Sequence, residues 1–183
     1  MTYCVAMRLR AGLLFASDTR TNAGVDHIAS FRKMYQFQIP HQREIVVLTA
    51  GNLATTQSVI SVLNQRLNSD AEHLLNVPTR YDAAVLLGRT LKEIVSRDSD
   101  HNPNVDFGAN MLMGGQIKGE GPRLFHIYPQ GNFIESTEDT PYFQIGESKY
   151  GKPIIDRVIR YDTTPLDEAA KCTLVSFDST IQY

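Results

Sequence analysis

Residues 1–20 read MTYCVAMRLRAGLLFASDTR. Val5, Met7 and Leu9 alternate along Tyr3 to Leu9, Arg10-Ala11-Gly12 turns the chain, and Leu13 to Ser17 forms a second apolar run. Period-two alternation closed by a short turn is the pattern of a β-hairpin. Its position has a chemical consequence: whatever follows Met1 stands at the open end of that hairpin, beside whatever follows Ser17.

Working outward, a polar loop is expected from Thr19 to His27, then a strand at Met34–Ile39, a break at Pro40 to Arg43, and a β-branched strand at Glu44–Ala50. Four strands therefore precede Gly51. From about Thr55 the period becomes helical, with Thr56, Ile60, Leu63 and Leu67 on one face, and Ala84, Leu87, Leu91 and Ile94 repeat it beyond Pro78. Alternation returns in Val105 to Met113, closed by Gly114-Gly115. A hairpin follows from Arg123–Tyr128 through Pro129-Gln130-Gly131-Asn132 to Phe133–Ser136, and then a short strand at Tyr142–Gly146. Helices are predicted from about Tyr150 to Val158 and from Pro165 onward, the latter with Leu166, Ala169, Ala170, Thr173 and Phe177 as its apolar face. Four strands, two helices, four strands and two helices make an α+β chain whose apolar faces are all buried if two sheets pack together with helices outside both. The chain stops at Tyr183 in or just after an apolar helix, without a C-cap glycine and without strands to match the first sheet, so a truncated product is expected.

Composition narrows the function. One domain, residues 1–183, is expected from a length that buries one sizeable core. Eighteen Lys and Arg against 20 Asp and Glu give a net charge of −2, with the basic residues scattered, so nucleic acid is excluded as a partner. Apolar runs such as Ala83 to Gly88 are far below the roughly 20 residues of a membrane span, and Met1 to Arg10 has no signal-peptide core. A soluble, cytoplasmic protein is expected. Cys4 and Cys172 read as buried free thiols, and the five histidines show no ligand spacing, so neither a metal nor another cofactor is expected.

Thr2 follows the initiator methionine, which is generally removed before a small residue, leaving a chain that starts with both a hydroxyl and a free amine. A hydroxyl needs a base, and an α-amine with a pKa of about 7.7 to 8.0 suits that task near neutral pH. Asp18 directly follows the second strand, and Lys33 precedes the third. An ammonium beside the threonine oxygen would favour its ionised form, and a carboxylate beside that ammonium would orient it. Read singly, each fits a solvated turn charge better than a catalytic group.

Thr2 before a strand, Asp18 in Ala16-Ser17-Asp18-Thr19-Arg20, Lys33 before a strand and Gly51 in Thr49-Ala50-Gly51-Asn52 resemble, in order and spacing, the proteasome β-subunit family. Met1-Thr2-Tyr3-Cys4-Val5-Ala6 with Thr21-Asn22-Ala23-Gly24-Val25-Asp26-His27 narrows the likeness to a bacterial branch of it. The resemblance implies a four-layer αββα sandwich of the N-terminal-nucleophile hydrolase type, self-assembly into a homo-oligomer, and threonine-type peptidase chemistry on peptide or unfolded protein; nothing in it names an ATPase partner. It also implies residue roles. Thr2 matches the nucleophile, Asp18 and Lys33 its charged partners, and Gly51 the oxyanion amide. Thr21 and Gly51 match the backbone clamps on an extended substrate, while Thr21, Phe31, Thr49 and Leu53 fall where the family lines its specificity pocket, with a moderately apolar preference. Gly146-Glu147-Ser148 stands where the family has Gly-Ser-Gly, so the amine's partner is Glu147 or Ser148, and Asp178 matches a late aspartate whose following serine and glycine are absent. The same sequence is open to a small-molecule amidase of this fold, or to a self-assembling scaffold without activity.

Overall fold

The computed structural model describes residues 2–22 and 28–182. In chain order the elements are β1 (Tyr3–Leu9), β2 (Gly12–Ser17), β3 (Arg20–Asn22), β4 (Ile28–Ser30), β5 (Met34–Ile39), β6 (Arg43–Gly51), α1 (Leu53–Arg66), α2 (Arg80–Ser99), β7 (Ala109–Ile117), β8 (Glu120–Ile127), β9 (Phe133–Glu135), β10 (Tyr142–Gly146), α3 (Lys152–Val158) and α4 (Leu166–Ile181). One antiparallel sheet has the order β10-β1-β2, a second β5-β6-β7-β8-β9, and β3 and β4 form a small ribbon.

Strand alternation makes the layers. Side chains along β1 point to opposite faces in turn, so Tyr3, Val5, Met7 and Leu9 pack on Ile155, Ile159, Ala169 and Cys172 in the α3–α4 layer. Cys4 and Ala6 turn the other way and meet Val46, Leu48, Leu112 and Leu124 between the two sheets. On the far side of the second sheet, Ile45, Val47, Met111 and Met113 bury against Val59, Leu63, Leu87 and Leu91 of α1 and α2. The result is helix, sheet, sheet, helix, the four-layer sandwich expected. Cys4 and Cys172 are buried and free. Among the described residues, no helix is long and apolar enough to cross a membrane.

Four details differ from the sequence reading. The stretch from Thr19 is not all loop: Arg20–Asn22 pairs with Ile28–Ser30, so six strands rather than four precede α1. These strands are three residues each, too short for a periodicity argument to detect. The strand expected at Val105–Met113 begins later, at Ala109, and runs through Gly114-Gly115 to Ile117, leaving Val105 exposed. The glycines do not close the strand; they let it pass close to β6, because a Cβ on Gly115 would lie 1.9 Å from the Glu44 carbonyl oxygen. Finally, α4 turns Ala169, Cys172, Thr173, Ser176 and Thr180 inward, while Leu166 is 37% exposed. Small residues win that face because the helix lies close to its neighbours: a Cβ on Gly151 would be 2.6 Å from both Thr180 Oγ1 and the Tyr3 hydroxyl.

Two cations, Arg80 and Lys33, are buried among the described residues. Arg80 at the start of α2 is structural: it donates to the carbonyls of Gly115 and Gly121 and pairs with Glu120 at 3.1 Å, tying α2 to the β7–β8 turn. Lys33 lies where several strand ends meet.

Candidate active site

The first hairpin brings Asp18 to Thr2. Cys4 is opposite Ser17 in the β1–β2 ladder, so one step further Asp18 stands beside Tyr3. The Asp18 N–H donates to the Tyr3 carbonyl at 3.1 Å, and the Tyr3 N–H donates to Asp18 Oδ1 at 2.9 Å. Asp18 Oδ2 also accepts from the Arg20 N–H at 3.1 Å, which fixes the carboxylate. Lys33 arrives from the other sheet. Its carbonyl accepts from the Thr49 N–H at 2.9 Å, extending the β5–β6 ladder by one rung and aiming the side chain back at the hairpin.

The Lys33 ammonium then uses its donors on three partners: Thr2 Oγ1 at 2.9 Å, the Asp18 carboxylate at 2.8 and 2.9 Å, and the Arg20 carbonyl at 2.5 Å. The Lys33 and Asp18 side chains are only 7% and 8% exposed, so neither is the solvated turn charge that each resembles when read alone. An ammonium held on a hydroxyl oxygen in such surroundings stabilises the alkoxide. Cys4, close by in sequence, is not a competing nucleophile. Burial pushes its thiol up to about 12, with the Asp18 charge adding to the shift, so at neutral pH it is a protonated apolar side chain.

The Thr2 backbone is held from a third direction. The Glu147 N–H donates to the Thr2 carbonyl at 2.8 Å, directly after β10. Gly146 has φ +89°, and a Cβ there would lie 2.1 Å from the Thr2 carbonyl oxygen. Only glycine fits both the conformation and the gap. Gly146→Ala is therefore expected to cost about 1–3 kcal/mol of stability and to slow covalent modification of Thr2 by roughly tenfold, since the hydroxyl moves with its backbone. Melting and labelling measured on the same variant check both effects.

Gly51 closes the arrangement. In the β6–β7 ladder the Asn52 N–H donates to the Gly108 carbonyl at 3.0 Å. Partners in an antiparallel ladder alternate sides, so the N–H of the preceding Gly51 faces the β5 side, past the Lys33 rung. Gly51 has φ +114° and is exposed. Such an amide can receive a developing oxyanion.

The remaining expected residues sit further out. Ser148 is exposed and makes no hydrogen bond to Thr2 among the described residues; Glu147 touches Thr2 through its amide, while its carboxylate accepts from the Lys149 N–H at 2.9 Å. Asp178 is exposed on α4 and accepts from Gln182 at 3.1 and 3.2 Å. Thr21 pairs with Ala29 in the β3–β4 ribbon, and Ala23–His27, part of the motif that suggested the bacterial branch, lie outside the described residues. Thr49 is buried against the Lys33 backbone, Phe31 is half-buried with its N–H on the Thr19 carbonyl at 2.8 Å, and Leu53 opens α1 half-buried. A cleft of ≈ 230 Å³ adjoins Lys33, walled by Ser17, Thr19, Arg32, Met34 and Gln36, so Phe31, Thr49 and Leu53 do not form it. Clefts of ≈ 590 and ≈ 620 Å³, at the β5–β6 and β7–β8 turns and beside β10, contain none of Thr2, Asp18 and Lys33. Chemistry, rather than volume, selects the site. The Arg20 carbonyl and Gly146 are parts of the site that sequence reasoning passed over; a glycine ending a strand beside the expected nucleophile was the available signal for the second.

The model of the family described as proteasome subunit matches residues 2–182. Comparison with curated proteins finds no match. Among solved structures, the chain is similar to Anbu, the ancestral beta-subunit, from Yersinia bercovieri, at 65% identity over 99% of this chain and 75% of that one, with a TM-score of 0.93. It is similar to the helical assembly of the Anbu complex from Pseudomonas aeruginosa, at 58% identity, 99% and 75% coverage and a TM-score of 0.95. A Gly-1 mutant of Anbu from Hyphomicrobium sp. strain MC1 gives 53%, 100% and 76%, with a TM-score of 0.91.

Proposed function

The chain belongs to the proteasome subunit family, and from that premise we propose that it is a threonine peptidase subunit which hydrolyses peptide bonds with Thr2 after Met1 is removed. The observation that carries this reading is the 2.9 Å contact from Lys33 Nζ to Thr2 Oγ1, made by an ammonium also held on Asp18 and nearly closed to solvent.

Thr2 Oγ1 attacks the carbonyl carbon of the scissile bond as its proton passes to the freed Thr2 amine. Lys33 stabilises the oxygen as an incipient alkoxide, and Asp18, its ion-pair partner at 2.8 Å, keeps it aimed. The new C–O bond pushes the carbonyl electron pair onto oxygen, where the Gly51 N–H receives it. Collapse breaks the C–N bond; the leaving amine takes the proton from the Thr2 ammonium, and an ester remains on Oγ1. Water, deprotonated by the same amine, cleaves that ester and restores the hydroxyl.

Self-assembly is part of the proposal. A relative forms a helical assembly, and on α4 Leu174, Val175 and Ile181 are 69%, 54% and 51% exposed, apolar surface suited to a second copy. The subunit then works as one domain within a cytoplasmic homo-oligomer. An inactive scaffold is the competing reading, favoured by Ser148, which does not reach Thr2.

Purified protein treated with a threonine-directed electrophile separates the two: the enzyme gains one adduct per chain by intact mass, and a scaffold gains none. Untreated protein from a preparation that takes the label should cleave an unfolded polypeptide faster than a small amide; the reverse order would make it an amidase. Sedimentation of that preparation should show species larger than monomer.

A further inference from the structure

We infer that Asn52 is a positioning residue for the oxyanion amide: it clamps the loop 106–108 behind Gly51 and so sets the direction of the Gly51 N–H. The inference rests on the peptidase reading and adds a residue to it.

Every polar group of Asn52 on this side is engaged. Its N–H donates to the Gly108 carbonyl at 3.0 Å, its Nδ2 donates to the Asp106 carbonyl at 3.1 Å, and its Oδ1 accepts from the Thr55 N–H at 3.0 Å. The last contact fixes the amide's orientation, since an N–H can meet only the oxygen, and the nitrogen must then face Asp106. Thr55 Oγ1 completes the seam by donating to the Phe107 carbonyl at 2.7 Å. Three successive carbonyls, 106 to 108, thus accept from the first turn of α1 or its cap. The loop is also braced internally, with the Gly108 N–H on Asp106 Oδ1 at 2.8 Å.

Gly51 lies directly against that loop. A Cβ on it would be 2.7 Å from the Gly108 carbonyl oxygen and 2.8 Å from Ala109 Cα. Gly51 pairs with Ala109 at the last rung of the β6–β7 ladder, and with φ at +114° it departs there from regular strand conformation, so the loop packed behind it also bears on how its peptide is held. If the loop loosens, the Gly51 N–H tilts. An oxyanion donor acts only when preorganised, and small misplacements near reacting atoms carry large rate penalties.

An ordinary helix cap makes a different forecast. Aspartate caps a helix as well as asparagine does, so Asn52→Asp keeps the bond from Thr55 and preserves α1. It also replaces the Nδ2 donor with an oxygen that repels the Asp106 carbonyl. The experiment measures melting, kcat and KM on a peptide substrate, and Ki for a peptide aldehyde whose hemiacetal oxygen needs the Gly51 amide. Wild type, Asn52→Asp and Asn52→Ala are compared.

Both variants are expected to lower kcat and raise the aldehyde Ki by on the order of tenfold to a hundredfold, with KM little changed and Asn52→Asp melting near wild type. Asn52→Asp matching wild type in kcat and Ki would reduce Asn52 to a cap and overturn the inference alone. Wild-type protein indifferent to both substrate and aldehyde would instead overturn the peptidase reading, and the purpose of the clamp with it.

Discussion

Thr2→Ala protein is expected to fold and to lose covalent labelling and peptide cleavage to background, a fall on the order of 10⁴ or more. The fold survives because Thr2 contributes little to it beyond its backbone: the carbonyl still accepts from the Glu147 N–H, and the side chain is only half-buried. Lys33 is not orphaned either, since Asp18 and the Arg20 carbonyl remain its partners. What disappears is, among the described residues, the only oxygen placed on that ammonium that can act as a nucleophile. Thr2→Ser keeps the oxygen and should keep most of the labelling. Loss of activity in Thr2→Ala with an unchanged melting temperature is the combination to look for; labelling that persists at the wild-type rate would assign the chemistry to another residue.

Lys33→Ala should lower the labelling rate by about 10² to 10³, on the order of 3 to 4 kcal/mol of transition-state stabilisation. Its stability should fall as well, because the Asp18 side chain is 8% exposed and would lose its counter-ion. Two backbone N–H groups, of Tyr3 and Arg20, still bond that carboxylate and limit the damage. Adding Asn at position 18 separates the effects. The double variant, Lys33→Ala with Asp18→Asn, removes the uncompensated charge and should recover melting temperature without recovering the rate. Its rate loss should also be smaller than the product of the two single losses, since both residues act through one contact. Lys33→Arg should rescue poorly, because a planar guanidinium cannot reproduce a compact ammonium bonded to three partners. Labelling rates and melting curves on wild type, the two single variants, the double variant and Lys33→Arg decide it; a well-folded Lys33→Ala labelled at the wild-type rate would remove Lys33 from the mechanism.

The parts of the fold legible from the sequence are those with a long, regular apolar period. Tyr3–Leu9, Met34–Ile39 and Tyr142–Gly146 form strands over those residues, and both central helices follow their apolar spacing. Illegibility has local causes. The β3–β4 ribbon, three residues to a strand, is too short to show a period. In β7, the two glycines looked like a terminus because glycine usually is one, whereas the close pass against Glu44 makes glycine necessary within the strand. On α4, Ala169 and Thr173 of the expected face are buried and Phe177 packs against the core, but close packing near Gly151 brings in Cys172, Ser176 and Thr180, and Leu166 is left 37% exposed.

The site divides along the same line. Asp18 and Lys33 could be placed beside Thr2 because a hairpin and the start of a strand leave few alternatives, and the three do meet. Backbone roles are another matter: the Arg20 carbonyl, the Glu147 N–H and the clamp on Gly51 depend on φ angles and loop approach that residue identities do not encode. Glu147 illustrates the point. A side chain was expected to serve the nucleophile, and the contact observed belongs to its amide.

The most direct test of the account is to locate the adduct after wild-type protein is treated with a threonine-directed electrophile and digested for tandem mass spectrometry. One adduct per chain is predicted, on a peptide that begins at Thr2 with Met1 absent. Protein that turns over substrate with Met1 fully retained, or that carries its adduct elsewhere or takes none, would contradict it.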